Sequence, residues 1–346
     1  MTEASAPALQ QSLFLKACRR EKTDRTPIWL MRQAGRYMKE YREIRARMPF
    51  IELCKDSDLA AEVTVHAAHT LGVDAAIIFS DILMLVEPLG FELSYGKDQG
   101  PRIANPFRSS ADLARVRPVQ PHDSMSYVFD AVRKTRRALR ENVPLIGFAG
   151  APFTMASYVI EGGGSKNFIE TKRLLYADPA AFGALLEKIT TATIDYVNGQ
   201  AAAGAQAIQI FDSWVGALSP DDFRRHVLPH TRRLIAGITP GVPTIYFGTQ
   251  TNGLFPMLRD LGANVIGVDW RVELDAAWTA LGDVAIQGNL DPVVLFGTEA
   301  EVRSQVRRVL RQAGGRPGHI FNLGHGVLPE TPVENVLALI DEVKGA

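Results

Sequence analysis

Six basic side chains fall between positions 32 and 47: Arg32, Arg36, Lys39, Arg42, Arg45 and Arg47. Only Glu40 and Glu43 oppose them, so six minus two leaves a local balance of +4. A guanidinium grips carboxylates through a planar fork of N–H donors, and such a density points to an anionic ligand. Arg32 and Arg36 stand in Met31-Arg32-Gln33-Ala34-Gly35-Arg36, directly after the apolar run PIWLM. For these two, anion binding is the favoured reading. Arg42, Arg45 and Arg47 read instead as a solvated helix face with Glu–Arg pairs.

Asp81 follows a second apolar run, VDAAIIFS. A carboxylate at an apolar mouth costs free energy unless a cation or a hydrogen-bond donor answers it. It is either a working group or the partner of Arg32 or Arg36 in a bracing salt bridge; the first is favoured. His325 lies between two glycines in Asn322-Leu323-Gly324-His325-Gly326. Glycines there let backbone approach a ligand closely, and an imidazole suits acid–base or hydrogen-bonding work. Tyr158 and Ser213 are weaker signals alone, because a lone hydroxyl more often caps or satisfies a core group.

Other chemistries find little support. His66/His69 and His226/His230 have helical spacing that suits a metal, but Pro229 interrupts the second pair and no third ligand stands out. No metal is expected. There is no GxSxG, no P-loop, and no lysine at the end of an apolar run to form a Schiff base.

Something must hold these residues together, and the chain repeats one pattern. Short apolar runs recur at 27–31, 73–80, 144–150, 205–212, 242–247, 264–270, 283–288 and 319–324. They are continuous rather than alternating, as in strands buried on both faces of a parallel sheet. Helical patterns separate them at 57–71, 124–141, 180–203, 221–238, 252–261, 273–281, 299–313 and 332–344. Start signals include Ser57 before Asp58, Ser219-Pro220, and Thr331-Pro332-Val333-Glu334, a cap, an N1 proline and a capping-box glutamate. Eight strand–helix units predict an α/β fold, a single (β/α)8 TIM-type barrel, in preference to an open doubly wound sheet. In a barrel the chemistry sits at the C-terminal strand ends, where Arg32, Asp81, Ser213 and His325 all fall. The Pro- and Gly-rich stretch 88–122 reads as an insertion after strand 2. EGGGSKN (161–167) reads as either a mobile lid or a plain connection.

The totals agree with one catalytic domain over 10–346 behind a flexible segment over 1–9. The 346 residues are 46% hydrophobic and 22% charged, ordinary globular usage. The formal net charge is zero, so no global field recruits nucleic acid or a membrane surface. Cys18 and Cys54 form neither a zinc spacing nor a plausible disulfide framework, which suits a cytoplasmic protein. No secretory signal and no membrane-length apolar stretch is evident.

Pro27-Ile28-Trp29-Leu30-Met31-Arg32-Gln33-Ala34-Gly35-Arg36-Tyr37 resembles the first signature of the uroporphyrinogen decarboxylases, and Gly147-Phe148-Ala149-Gly150-Ala151-Pro152-Phe153-Thr154 resembles the second. Phe79-Ser80-Asp81-Ile82, Glu161 to Lys166, Phe211-Asp212-Ser213-Trp214 and Asn322 to Gly326 are similar to further family segments in the same order. Met38-Lys39 departs from the family, which usually has a proline before Glu40. The resemblance implies a cytosolic homodimer on a (β/α)8 barrel, with no metal or organic cofactor. It implies conversion of uroporphyrinogen III to coproporphyrinogen III by loss of four acetate carboxyls. It also implies substrate binding by Arg32, Gln33, Ala34, Gly35, Arg36, Asp81, Tyr158, Ser213 and His325, with Asp81 as transition-state stabiliser.

The chemistry is consistent with that set. Protonating an electron-rich pyrrole beside the acetate arm gives a cation that accepts the electrons released with CO2, so no pyridoxal or thiamine is needed. The protein must then supply a proton, hold carboxylates and steady the cation. Asp81 suits the last role, and Arg32 and Arg36 suit the second. For the proton, His325 has the more convenient pKa, whereas Arg32 could serve if paired with the departing carboxylate. The residues do not choose between them.

Overall fold

The computed structural model describes residues 5–96 and 100–346. Seven strands form one parallel, curled sheet in the order β1 (Ala76–Ile77), β4 (Leu145–Gly150), β5 (Ala207–Asp212), β6 (Thr244–Gly248), β7 (Val265–Gly267), β8 (Ala285–Leu290) and β9 (His319–Leu323). Their central residues are buried on both faces, which is why the runs are continuous in the sequence. Between β1 and β4 the antiparallel pair β2 (Leu93–Tyr95) and β3 (Pro101–Ile103) forms a separate hairpin.

The first apolar run, 27–31, is held on two sides without being a regular strand. Ile28 bridges Phe321 of β9 in parallel, and the Phe321 N–H donates to Pro27 O at 2.8 Å. On its other side the Asp74 N–H, just ahead of β1, donates to Ile28 O at 2.8 Å. Inside the sheet, Trp29 Nε1 donates to Gln287 Oε1 (3.0 Å), and Gln287 Nε2 donates to Gln209 Oε1 (3.1 Å). Met31 N–H donates to the buried Asn322 Oδ1 at 3.0 Å. These bonds fix the segment that ends in Arg32.

Helices occupy the gaps between strands, with some revisions. The helix Ser57–Leu71 is capped by Asp56, whose Oδ1 takes both the Asp58 and Leu59 N–H groups, so Ser57 is its first residue and not its cap. Ser219 does cap Pro220–Asp222, accepting the Asp222 N–H at 3.1 Å. Thr331 does not cap the last helix, which starts at Val333 behind Pro332, and its hydroxyl is buried without a partner. The single helix expected over 221–238 is broken by a π-turn, Phe223–Val227, before Leu228–Ala236. Pro229, lacking an N–H, is the reason regular bonding cannot run through. The helices Pro152–Glu161 and Ile169–Ala177 were not expected; Pro152 at the first helical position was the missed signal. Lys39 opens the helix Lys39–Arg47, so lysine in place of the family's proline leaves that helix intact. At the N-terminus, where a flexible segment 1–9 was expected, Ser5–Gln10 is helical and Leu9 is buried. Residues 1–4 lie outside the described residues.

EGGGSKN is stitched down rather than loose. The Ile103 N–H donates to Gly162 O at 2.9 Å, Gly163 bridges Arg102, and Glu161 Oε1 accepts both the N–H and hydroxyl of Thr171 at 2.8 Å.

His319 opens β9 at the end of the sheet opposite the cavity described below. It is 3% exposed, its Nε2 sits 3.0 Å from Gly288 O, and its Nδ1 has no partner. Burial pushes its pKa down from 6.5 to about 4. The unfolded chain therefore takes up the proton first on acidification. Stability from this group is complete above about pH 6.5 and is lost as pH falls towards about 4, by roughly 3 kcal/mol. Denaturant titrations should show that slope, and His319→Gln should flatten it. A slope unchanged by the substitution contradicts the account.

Candidate functional site

A cavity of about 980 Å³ opens at the C-terminal ends of the strands, a volume suited to a large organic ligand. Arg32, Ala34, Gly35, Arg36, Asp81, Tyr158, Ser213 and His325 all line it. Five separate stretches of chain thus converge, four of them at strand ends and Tyr158 from the helix Pro152–Glu161. Gln33 is the exception. Its side chain is fully buried, with Oε1 accepting the Leu30 N–H (3.2 Å) and Nε2 donating to Ala75 O (3.4 Å). Tyr37 OH donates to Gln33 O at 2.6 Å. Gln33 therefore braces the loop from behind. The bracing matters because Arg32 holds a left-handed backbone, φ 60°, a conformation a non-glycine residue adopts only when its surroundings impose it.

The basic cluster differs from the expected division. Arg42 points back into its own loop, donating to Arg36 O (2.9 Å) and Tyr37 O (2.8 Å). Arg45 and Arg47, expected on a solvated face with glutamate partners, line the cavity, Arg47 while still exposed, and neither has a glutamate partner among the described residues. Arg45 donates to Met48 O and lies 5.7 Å over the Phe50 ring. The helix turns that face inward because Tyr41 beside them is buried in the core.

Asp81 caps a short 3-10 turn (Ile82–Leu85), its Oδ1 accepting the Leu83 N–H at 2.8 Å. Among the described residues it makes no salt bridge with Arg32 or Arg36, so the bracing pair does not form. Arg32 acts on it through space. Burial pushes the Asp81 carboxyl above its ordinary range, against the opposing pull of the Leu83 N–H, the Tyr95 hydroxyl and Arg32.

His325 packs edge-to-face with Trp270, with ring centroids 6.5 Å apart, and the Arg271 guanidinium lies over the indole ring at 4.0 Å. Burial, followed by the charges of Arg32 and Arg271, pushes its pKa down to about 4. The ring is therefore neutral at neutral pH. Of the two candidate proton donors, His325 thereby loses the convenient pKa that recommended it, since only about a thousandth of it is protonated there.

The floor is aromatic. Phe148, Phe211 and Phe247 line it in edge-to-face contact, at 5.5 Å and 6.1 Å between centroids. Beneath Ser213 lies a carboxylate the sequence reading passed over. Asp212 is fully buried and accepts from Thr154 Oγ1 and Tyr246 OH, both at 2.7 Å; burial raises its pKa to about 6. It fixes the end of β5 from which Ser213 projects. Tyr158 stands over the same edge, 5.7 Å from Trp214 between ring centroids. Tyr95 was also missed; it enters the cavity from the hairpin, where no strand-end logic applies. His66 and His230 sit outside the cavity, against Glu40 (3.4 Å) and Glu187 (3.6 Å). No group of three His, Cys, Asp or Glu among the described residues is arranged to hold a metal.

A neutral chain that gathers guanidiniums, a carboxylate and a neutral imidazole over an aromatic floor has the features of an enzyme site for a large anionic organic ligand. The comparisons with known proteins agree. Residues 9–346 match the family model for uroporphyrinogen decarboxylase (URO-D), and the chain belongs to that family. The uroporphyrinogen decarboxylase of Carboxydothermus hydrogenoformans is 52% identical over 332 residues, 95% of each chain. That of Sorangium cellulosum is 53% identical over 332 residues, again 95% of each. Among solved structures, a methyltransferase from Methanosarcina mazei superposes with a TM-score of 0.82 at 21% identity, over 97% of this chain and 98% of that one. That likeness is one of fold.

The electrostatic description of His325 is open to direct measurement. Its imidazole should titrate by NMR near pH 4 in the native chain, well below 6.5, and Arg32→Ala should raise the midpoint by removing a repelling cation. A midpoint at or above 6.5 in the unsubstituted protein overturns the assignment of a neutral ring.

Proposed function

We propose that this chain removes the four acetate carboxyl groups of uroporphyrinogen III without a cofactor, giving coproporphyrinogen III and four CO2. It is a carboxy-lyase of porphyrin biosynthesis. The observation that carries the reading is Asp81: a half-buried carboxylate, without an ion-pair partner among the described residues, in a cavity whose other charged lining residues are Arg32, Arg36, Arg45 and Arg47. An octa-acid explains the arginines, and a cation formed on its pyrrole explains the carboxylate.

In this mechanism Arg32, paired with the carboxylate of the reacting arm, delivers the proton that makes the pyrrole cationic and regains one from water. After CO2 departs, the remaining methylene takes a proton to become methyl and the ring carbon gives one up. Arg36, Arg45 and Arg47 receive the other arms. The backbone at Ala34 and Gly35 contacts the ligand, with Gln33 supporting it. Tyr158 and Ser213 fix the macrocycle by hydrogen bonds, and neutral His325 offers one to the ligand. Asp81 accepts the pyrrole N–H groups and steadies the ring cation as CO2 departs. A full charge about 4 Å away contributes about 4 kcal/mol at an effective dielectric of 20, or about three decades in rate if realised only in the transition state.

The same reading extends to the architecture. The 27–31 segment, bonded on one side to β9 and on the other ahead of β1, supports closure into a single (β/α)8 barrel over 10–346. The β2–β3 hairpin then reads as an insertion after its second strand. A cytoplasmic homodimer follows from the family resemblance. Among the described residues no helix is long and apolar enough to cross a membrane. A thiol- or corrinoid-dependent methyltransferase on this fold would need a thiolate at the site. Cys18 and Cys54 are both buried in the core and neither lines the cavity.

Anaerobic incubation with uroporphyrinogen III, with and without chelator, followed by product chromatography tests the activity. Coproporphyrinogen III should form equally in both arms, and absence of CO2 release in either defeats the proposal. Asp81→Asn should lower kcat by about a thousandfold while changing KM little. A loss of tenfold or less removes Asp81 from the role given to it.

A further inference from the structure

Tyr95 lies outside every segment on which the family resemblance rests. It ends β2, and its ring packs edge-on against Phe50 at 5.0 Å between centroids. The side chain lines the cavity together with Asp81. Its hydroxyl is buried and has no hydrogen-bond partner among the described residues. A buried phenol left without a partner is costly, and the O–H usually finds an acceptor. The acceptor within reach is the Asp81 carboxylate, whose charge the Tyr95 hydroxyl stabilises and which in turn keeps the phenol protonated. Asp81 Oδ1 already takes the Leu83 N–H, so the carboxylate still has capacity for a second donor.

The geometry points to Tyr95 as a positioning residue that donates its O–H to Asp81 and holds the carboxylate ionised and aimed at the ligand. The inference rests on the role given to Asp81 above. It follows from a conflict within the site: the carboxylate must be charged to steady a cation, yet its burial favours the protonated form. The ionisable groups facing Asp81 are Arg32, Cys54 on the helix Phe50–Lys55, Tyr95 on the hairpin, Tyr158 on the helix Pro152–Glu161, and Tyr196 on the helix Pro179–Ala203. Of these, only Arg32 is a cation. Tyr95 and Arg32 are the side chains that favour the charged carboxylate.

Tyr95→Phe keeps the ring against Phe50 and removes only the donor. Losing one hydrogen bond to a charged group should lower kcat about ten- to a hundredfold, with KM within about twofold. The acid limb of the kcat–pH profile should move to higher pH, because Asp81 protonates more readily without the donor. In an Asp81→Asn background the same substitution should change kcat by less than twofold, since the charge it serves is gone. A rise in KM with kcat unchanged makes Tyr95 a ligand contact and overturns the inference. So does a wild-type profile in Tyr95→Phe, or an equal loss in both backgrounds. Thermal melting of Tyr95→Phe should match the parent; a rate loss that tracks a lowered Tm with no shift of the acid limb assigns Tyr95 to packing and also overturns it. The two readings separate cleanly. If Asp81→Asn itself retains kcat within tenfold, the role of Asp81 fails; if it collapses while Tyr95→Phe is silent, only Tyr95 does.

Discussion

The proposed chemistry depends on an ionisable carboxylate, half-buried in the cavity wall, that has no ion-pair partner among the described residues. An Asp81–Arg32 salt bridge would have satisfied both charges within the protein, and under the proposed mechanism would have left neither for the ligand. The structure instead answers Asp81 with the Leu83 N–H, with a nearby phenol and with the field of Arg32. None of these is an ion pair. They leave the carboxylate available to a ligand, at the cost of a raised pKa.

Much of the surrounding architecture separates those charges. Arg32 sits on a left-handed turn that Gln33 and Tyr37 brace from behind. The run before it is tied to β9 through Asn322 and across the sheet interior through Trp29, Gln287 and Gln209. Gly326 makes room for Arg32: a Cβ there would lie 2.4 Å from Arg32 Cδ. On the far wall, Asp212 fixes the end of β5 through Thr154 and Tyr246. Polar groups buried in the core thus set the placement of polar groups in the cavity.

The same electrostatics decide what His325 does. A histidine between glycines at a strand end reads as an acid–base group, because its free pKa lies near neutrality. In the fold it is half-buried beside Trp270 and faces Arg32 and Arg271, so its protonated form is disfavoured from two sides. A neutral ring can accept or donate one hydrogen bond to a ligand but stores no proton for it.

Local chemistry determined a good deal. Continuous apolar runs mark strands buried on both faces, and seven of eight carry regular strands because that pattern reports the buried sheet directly. Polar residues just past those runs, Arg32, Asp81, Ser213 and His325, reach one cavity because parallel strands all end on the same side. What the sequence could not decide were facts of distance. The Gln33 side chain turns to the wall while its neighbours line the cavity, and Arg45 and Arg47 border that cavity too, Arg47 while still exposed. Tyr95 arrives from a hairpin with no pattern of its own, and Asp81 escapes the salt bridge its neighbours offered. Each depends on how far apart two groups stand once the chain has closed on itself. Charge interactions and desolvation change steeply over a few ångströms, a scale that residue type and spacing along the chain do not encode.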